Sequence, residues 1–233
     1  LDKNMKVLCT ICMRAGSKGV KNKNLRLMNG KPLMEYTIKQ AIESKIFEDI
    51  VISTDSSKIA DIAQNMGLEV WFLRPKELSH DKAAKIPVII HALHEAEANF
   101  KKKYSYIVDL DATSPLRSVD DILNAMKKFK SENAENLVTA CLARKNPYFN
   151  MLEYEDKKLK LVKQLDRQVI RRQDAPDVYD MNASIYIWNR SRLLSDKPLI
   201  DENTSCYIMP EERSVDIDTE SDFSYVEYLM KYN

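Results

Sequence analysis

The stretch Val7-Leu8-Cys9-Thr10-Ile11-Cys12-Met13 runs straight into Arg14-Ala15-Gly16-Ser17-Lys18-Gly19-Val20-Lys21-Asn22-Lys23-Asn24-Leu25-Arg26. The first part is an apolar, β-rich run. The second carries five cations and no acid, together with two of the chain's four glycines. Glycine lets a backbone approach a ligand and turn its N–H groups toward it. Uncompensated cations at the end of a first strand ask for an anion, most simply the phosphates of a nucleoside triphosphate. The alternative is a solvated basic turn. The loop matches neither common phosphate-binding pattern. Gly19 is followed by Val20 rather than Lys-Ser/Thr, and Gly16 and Gly19 lack the third glycine of a dinucleotide loop.

Working outward, β-rich and helical patterns alternate. Met34, Ile38, Ala41 and Ile42 recur at helical spacing after Pro32, which suits a first helical position. Ile50 to Ser53 reads as a second strand, and Thr54-Asp55-Ser56 as a cap for a helix with Ile59, Ile62, Ala63 and Met66 inside and Gly67 at its stop. Leu68 to Leu73 reads as a third strand, and Ile86, Ile89, Ile90 and Leu93 mark a third helix. Tyr106 to Leu110 is a fourth strand, residues 122–129 lie in a fourth helix, and Leu137 to Ala143 is a fifth strand. This alternation predicts an α/β fold with a mostly parallel, doubly wound sheet and helices on both faces. Ligands bind such sheets beyond the carboxyl ends of the strands, where Arg14, Asp55, Arg74 and Asp111 fall.

After Tyr148 the pattern changes. Tyr148 to Tyr154 and Lys158 to Leu165 flank the polar turn Glu155-Asp156-Lys157 and read as a hairpin. Residues from about 145 to 180 are expected to form a β-rich arm inserted into one domain spanning 1–233. Ser184 to Trp188 returns to the core, Val215 to Asp218 is a last short strand, and Phe223 to Tyr232 a closing helix. Leu1 to Asn4 precede Met5, and their sequence does not decide whether they join the fold.

With 233 residues and a net charge of +1, the chain has no basic excess for nucleic acid. No apolar run approaches the roughly 20 residues of a membrane span, and no secretion signal is evident. Cys9 and Cys12 form a C-x-x-C, but three positions apart on a strand they point to opposite faces. Buried, reduced cysteines in a reducing cytoplasm are the expectation.

Two carboxylate pairs stand out. In Asp216-Ile217-Asp218, extended backbone would turn both acids to one face and Ile217 into the core, a pair suited to Mg²⁺ with substrate phosphates and water; solvated acids at a strand end are the alternative. Asp109-Leu110-Asp111 has the same spacing and leads into Ala112-Thr113-Ser114-Pro115-Leu116-Arg117, a rival metal site of the kind used by metal-dependent glycosyltransferases. Asp109, deeper in an apolar strand, needs a partner to stay charged. In Arg171-Arg172-Gln173 a guanidinium fork suits a carboxylate, such as that of a sugar acid, or else pairs with Asp174 or Asp177. His80 sits beside Asp81, to meet substrate or to cap the next helix, while His91 and His94 lie off the apolar helix face.

Together these segments resemble the cytidylyltransferases that activate nonulosonic acids, the N-acylneuraminate cytidylyltransferase (CMP-sialic acid synthetase) family. The motifs, in order, are Arg14-Ala15-Gly16-Ser17-Lys18-Gly19 with Lys23-Asn24-Leu25-Arg26, Ile52-Ser53-Thr54-Asp55, Leu73-Arg74-Pro75, Thr113-Ser114-Pro115-Leu116-Arg117, Asn182-Ala183-Ser184-Ile185-Tyr186 and Asp216-Ile217-Asp218. The resemblance implies a nucleotide-diphospho-sugar transferase-like fold. It also implies that CTP and a nine-carbon α-keto sugar acid react, with Mg²⁺, to a CMP-sugar and pyrophosphate. Arg14, Lys23 and Asn24 would hold CTP and its phosphates, and Arg14, Lys23 and Asp218 would carry catalysis. Gly16, Ser17, Arg74 and His80 would line the nucleotide site. Asp216 and Asp218 would bind the metal. Arg172 would meet the sugar carboxylate, with Asp111, Phe149, Gln173, Asn182 and Tyr186 shaping that pocket. The arm would pair two subunits into a homodimer.

The chain departs from the sialic-acid pattern where Leu110-Asp111-Ala112 stands for Leu-Gln-Pro, and where Asn146-Pro147-Tyr148-Phe149 lacks a sugar-contacting lysine. An apolar Phe149 fits a deoxygenated, diacylamino sugar, and with Tyr179-Asp180-Met181-Asn182 the pattern looks like the legionaminic-acid branch. Related alternatives are a sialic-acid or 3-deoxy-manno-octulosonate cytidylyltransferase. A metal-dependent glycosyltransferase using Asp109 and Asp111, or a non-catalytic nucleotide sensor, would be more distant.

Overall fold

A computed structural model of the chain describes residues 5–232, so Leu1 to Asn4 lie outside the described residues. In chain order the elements are β1 (Val7–Cys12), β2 (Leu27–Met28), β3 (Lys31–Pro32), α1 (Leu33–Ser44), β4 (Asp49–Ser53), α2 (Ser57–Asn65), α3 (Lys85–Phe100) and β5 (Tyr106–Leu110). There follow α4 (Val119–Ser131), β6 (Asn136–Leu142), β7 (Leu152–Glu155), β8 (Lys158–Leu161), β9 (Tyr179–Asn189), α5 (Arg190–Leu193), β10 (Thr204–Ile208) and α6 (Glu220–Tyr232).

Six strands form the central sheet in the order β10-β6-β9-β5-β1-β4. β1 runs parallel to β4 and β5, and β6 parallel to β10. β9 lies antiparallel between β5 and β6, so the other five strands share one direction. Alternation along β1 sorts the core. Val7, Cys9 and Ile11 face α1, α2 and α4, while Leu8 and Cys12 face α3. Cys9 and Cys12 therefore sit on opposite faces, and both are free thiols. A third apolar cluster, Val20, Met28, Leu33, Ile217, Phe223 and Val226, pins the end of the chain under the basic loop.

Three sequence expectations are corrected. Leu68 to Leu73 joins no ladder, although Trp71 packs on Phe72 and Phe100. Val215 to Asp218 is a loop rather than a strand, with Ile217 alone fully buried. Thr204–Ile208, not anticipated, forms the edge strand β10. Two turns also differ in detail. Pro32 is the N-cap of α1 instead of its first residue, and Ser56 alone of the Thr54-Asp55-Ser56 run caps α2, accepting from Ile59 N at 3.4 Å.

Within residues 145–180, β7 and β8 form a hairpin closed by Asp156 and Lys157, both at positive φ (49° and 64°), the backbone of a type I′ turn. The hairpin is shorter than its sequence pattern suggests, and Leu152, Tyr154 and Leu159 on it are exposed, as is Ile170 beyond it.

Candidate active site

The carboxyl ends of β1 and β5 open onto two adjoining cavities. One, of about 250 Å³, is walled by the basic loop, chiefly Arg14, Ser17, Gly19, Lys23 and Asn24, and by Asp111, Thr113 and Asp218. The other, of about 280 Å³, is walled by Arg74, His80, Asp81 and Lys85. Cys12, Arg14 and Asp111 line both.

The loop owes its shape to specific anchors. Asp55, after β4, accepts from the Ala15 N–H at 2.7 Å. Asn22 takes the left-handed conformation (φ 53°) and starts the short 3-10 turn Lys23–Leu25 that presents Lys23 and Asn24. Gly16 and Gly19 are thus not the left-handed turns of this loop. Gly19 is required for another reason, because a Cβ there would fall 1.9 Å from the Asp218 carbonyl oxygen. At Gly16 a Cβ would meet nothing within 4 Å, which leaves its backbone open to a ligand.

The cations do not all stand free. Arg14 pairs with Asp81, which also takes Lys18 at 2.5 Å. Lys23 donates to the Ile217 carbonyl and lies 3.4 Å from Asp218 Oδ1. Asn24 donates to the Arg14 carbonyl at 3.2 Å, and its buried Oδ1 has no hydrogen-bond partner. Arg74 is 7% exposed, and its Nε and Nη2 are buried without a partner at the second cavity. Burial lowers its pKa. An anionic ligand would satisfy the two Arg74 donors, whereas Asn24 Oδ1, an acceptor, needs a ligand N–H or O–H. His80 lines the same cavity and caps only a local turn, accepting from Lys82 N at 3.1 Å; Ala84, not His80, is the N-cap of α3.

Two acid pairs meet at Thr113. Its hydroxyl lies 2.9 Å from Asp111 Oδ1 and also bonds Asp216 Oδ1, while the Ile217 N–H donates to the Thr113 carbonyl at 3.1 Å. Burial, and next the charge of Asp111, raises the pKa of Asp216. The Asp218 side chain is 77% exposed at the cavity rim. Hard oxygen donors of this kind fit Mg²⁺, and a cation would relieve the burial of Asp216. Among the described residues no group of three or more His, Cys, Asp and Glu forms a metal site, so the remaining ligands would be phosphate oxygens and water. The segment is tied down from behind. Arg213 forks onto Asp121 (2.8 and 3.0 Å), and Ser214 Oγ accepts from Asn182 Nδ2 at 2.9 Å.

The rival pair is occupied. Lys85, at the start of α3, places Nζ 2.7 Å from Asp111 Oδ2 and 3.0 Å from Asp109 Oδ2. Burial alone would lower the Lys85 pKa, but the two carboxylates raise it well above its ordinary value. Sequence reasoning missed Lys85. The signal was the unmet charge of Asp109, whose partner lies 24 residues upstream and is brought in only by the parallel crossover. Arg117 was quoted as part of a motif without a role. It is 1% exposed and donates to Ser184 O (2.6 Å), Thr37 Oγ1 (3.0 Å) and the Asp111 carbonyl (3.3 Å). Burial lowers its pKa to about 10.

The residues expected around the sugar divide. Asp111 lies in the shared cleft. Arg172 and Gln173 line a separate cavity of about 280 Å³ with Asn146, and Arg172 donates to the Ala143 carbonyl at 2.9 Å. It is Arg171 that pairs with Asp174. Phe149 is half-buried in the turn after Asn146 and lines none of these three cavities. Asn182 seals a register break between β6 and β9, accepting from Thr139 Oγ1 at 2.6 Å. Tyr186 stacks on Trp188, and its ring centroid is 4.9 Å from Lys85 Nζ. Asn182 and Tyr186 thus act from within the sheet rather than from a cavity wall.

A family model described as Cytidylyltransferase matches residues 8–233. The chain is 49% identical, over 97% of its length and 95% of the relative's, to the Post-translational flagellin modification protein B of Campylobacter coli. It is 48% identical, over 96% and 94%, to the CMP-N,N'-diacetyllegionaminic acid synthase of Campylobacter jejuni. Identity is 36% to the N-acylneuraminate cytidylyltransferase of Streptococcus agalactiae, over 95% of this chain and 52% of that protein. Among solved structures, a CMP:2-keto-3-deoxy-manno-octonic acid synthetase complexed with CTP superposes with a TM-score of 0.71 at 13% identity, over 97% of this chain and 99% of that one, a likeness of fold alone. The chain belongs to the cytidylyltransferase family and is a nucleotidyltransferase.

Proposed function

We propose that the protein transfers the cytidylyl group of CTP to a nonulosonic acid of the legionaminic type, releasing pyrophosphate. The observation that carries the sugar assignment is the 48% identity, nearly end to end, to a CMP-N,N'-diacetyllegionaminic acid synthase, against 36% to an N-acylneuraminate cytidylyltransferase. Asp111 and Phe149, where the chain departs from the sialic-acid pattern, agree with it.

The basic loop supports a triphosphate reading. Lys23 and Arg14 reach the phosphates, Asn24 and Ser17 complete the wall, and Gly16, next to Ser17 in the chain, leaves open backbone beside that wall. Arg74 and His80 line the adjoining cavity for the rest of the nucleotide. Binding phosphate would compete with Asp81 for Arg14 and Lys18. The reaction joins the C2 hydroxyl oxygen of the sugar acid to the α-phosphorus as pyrophosphate leaves, so positioning and charge stabilisation do most of the work. Mg²⁺ held by Asp216 and Asp218 would supply charge neutralisation at the phosphates. Lys23, beside Asp218, joins the two halves of that charge.

Arg172 and Gln173 lie in their own cavity on the arm. Together with the exposed Leu152, Tyr154 and Ile170, this supports a homodimer in which the arm of one subunit brings the carboxylate-binding Arg172 to its partner's cleft. Asn182 and Tyr186 shape the pocket from beneath. Among the described residues no helix is long and apolar enough to cross a membrane, and a cytoplasmic enzyme is our reading. Pyrophosphate release that requires CTP, a nonulosonic acid and Mg²⁺ together tests the proposal; no release with any of the legionaminic, pseudaminic, neuraminic and octulosonic acids would refute it.

A further inference from the structure

Two Asp-x-Asp pairs meet at one cleft, which Asp111 of the first and Asp218 of the second line, and by donor chemistry either would suit a divalent cation. Asp109 is the penultimate residue of β5 and Asp111 lies just beyond its end. Asp216 and Asp218 precede α6. The pairs are coupled through the Thr113 hydroxyl, which touches both Asp111 and Asp216. A hydroxyl has one proton, so it donates to one carboxylate at a time and leaves the other's charge to be met elsewhere.

Lys85 breaks the symmetry. Its ammonium lies 2.7 Å from Asp111 Oδ2 and 3.0 Å from Asp109 Oδ2. Asp109 is fully buried. Its Oδ1 accepts from Thr10 Oγ1 at 2.7 Å, while its Oδ2 has no hydrogen bond and depends on the Lys85 charge. The lysine has little freedom to leave. It is the first residue of α3, and its ammonium lies over the Tyr186 ring, itself stacked on Trp188. Asp111 is fixed from its other side, since Oδ1 accepts from Thr113 N at 3.0 Å. A tethered ammonium thus stands where a cation bridging Asp109 and Asp111 would stand.

We propose that Lys85 is a positioning residue that keeps divalent metal off the Asp109/Asp111 pair and so directs it to Asp216 and Asp218. The second half rests on the metal reading given under Proposed function. The first half does not.

Mn²⁺ titration of the full chain without nucleotide, followed by the electron paramagnetic resonance of free Mn²⁺ and by calorimetry, tests it. Lys85→Met is expected to bind one Mn²⁺ more than the wild type, and Lys85→Arg no more than the wild type. Adding Asp111→Asn to Lys85→Met removes the gained site. A folded Lys85→Met protein with the wild-type count overturns the proposal. Should Lys85→Met unfold without metal, circular dichroism follows the same titration: refolding on Mn²⁺ supports the proposal, and a chain still unfolded in excess Mn²⁺ overturns it. A wild type that binds none alone, and holds Mn²⁺ no more tightly with CTP than CTP does by itself, while Lys85→Met binds one, refutes the Asp216/Asp218 reading and leaves the exclusion by Lys85 standing.

Discussion

Gly19 and Asp218 pack backbone against backbone, so closely that a methyl group on Gly19 would fall 1.9 Å from the Asp218 carbonyl oxygen. The contact joins the basic loop after the first strand to the acidic segment before the last helix. It sets the distance between the groups that would face a triphosphate and those that would face its metal. Gly19→Ala should force the two apart. We expect a loss of roughly 100-fold in kcat/KM, the scale of a misplacement of about 1 Å, with about 1–3 kcal/mol of stability lost to overpacking. Gly16→Ala, in open space, should change stability by less than about 0.5 kcal/mol. Thermal melts and pyrophosphate release on the two variants make the comparison, and equal effects would contradict it.

Asp218→Asn keeps size and removes charge from an exposed side chain. Its stability should stay within about 0.5 kcal/mol of wild type, while turnover falls by a factor on the order of 1,000. Near-normal turnover in a folded Asp218→Asn protein would remove Asp218 from the metal site.

Arg172 lies in a cavity apart from the one lined by Asp218, as expected if each site draws on both subunits. Arg172→Ala and Asp218→Ala should each be nearly inactive. Mixed and re-associated, they should recover up to about a quarter of wild-type activity, because only heterodimers carry one intact composite site. No recovery, with exchange verified by mass, would place Arg172 outside its partner's cleft.

Glu97 offers a check on the scaffold beneath Lys85. Burial would raise its pKa, but the fork of Arg190 (2.6 and 3.0 Å), and then Lys103, hold it down at about 2. A carboxylate with a depressed folded pKa contributes stability above its unfolded value of 4.5, and the contribution drains away as pH falls toward 2. The contribution at neutral pH is on the order of 2–3 kcal/mol, with the exposed Lys103 screened. Denaturant unfolding of wild type and Glu97→Gln should differ at neutral pH and converge in acid; a constant difference would contradict the assignment.

Much of the fold is legible in local pattern. Val7–Cys12 and Tyr106–Leu110 are apolar on both faces but for the paired Thr10 and Asp109, as suits buried strands. Residues at helical spacing mark α1, α2 and α4. What fails is local pattern without a ladder. Leu68–Leu73 is mostly apolar like a buried strand, yet the sheet ends at β4. Thr204–Ile208 is only partly buried and pairs on one side, so its polar composition hides it. At the site, the basic loop and the second acid pair announce themselves by charge. Lys85 and the Thr113 bridge do not, because each takes its meaning from a residue brought close only by the tertiary fold. The partners of Asn182, Thr139 and Ser214, are hidden for the same reason.

The central claim is most directly tested by pyrophosphate release from CTP and Mg²⁺ with legionaminic and neuraminic acids compared on one preparation. Both acids should release pyrophosphate, with a kcat/KM at least about tenfold higher for the legionaminic acid, a difference of about 1.4 kcal/mol in transition-state binding. Equal efficiency, or a preference for neuraminic acid, would contradict it.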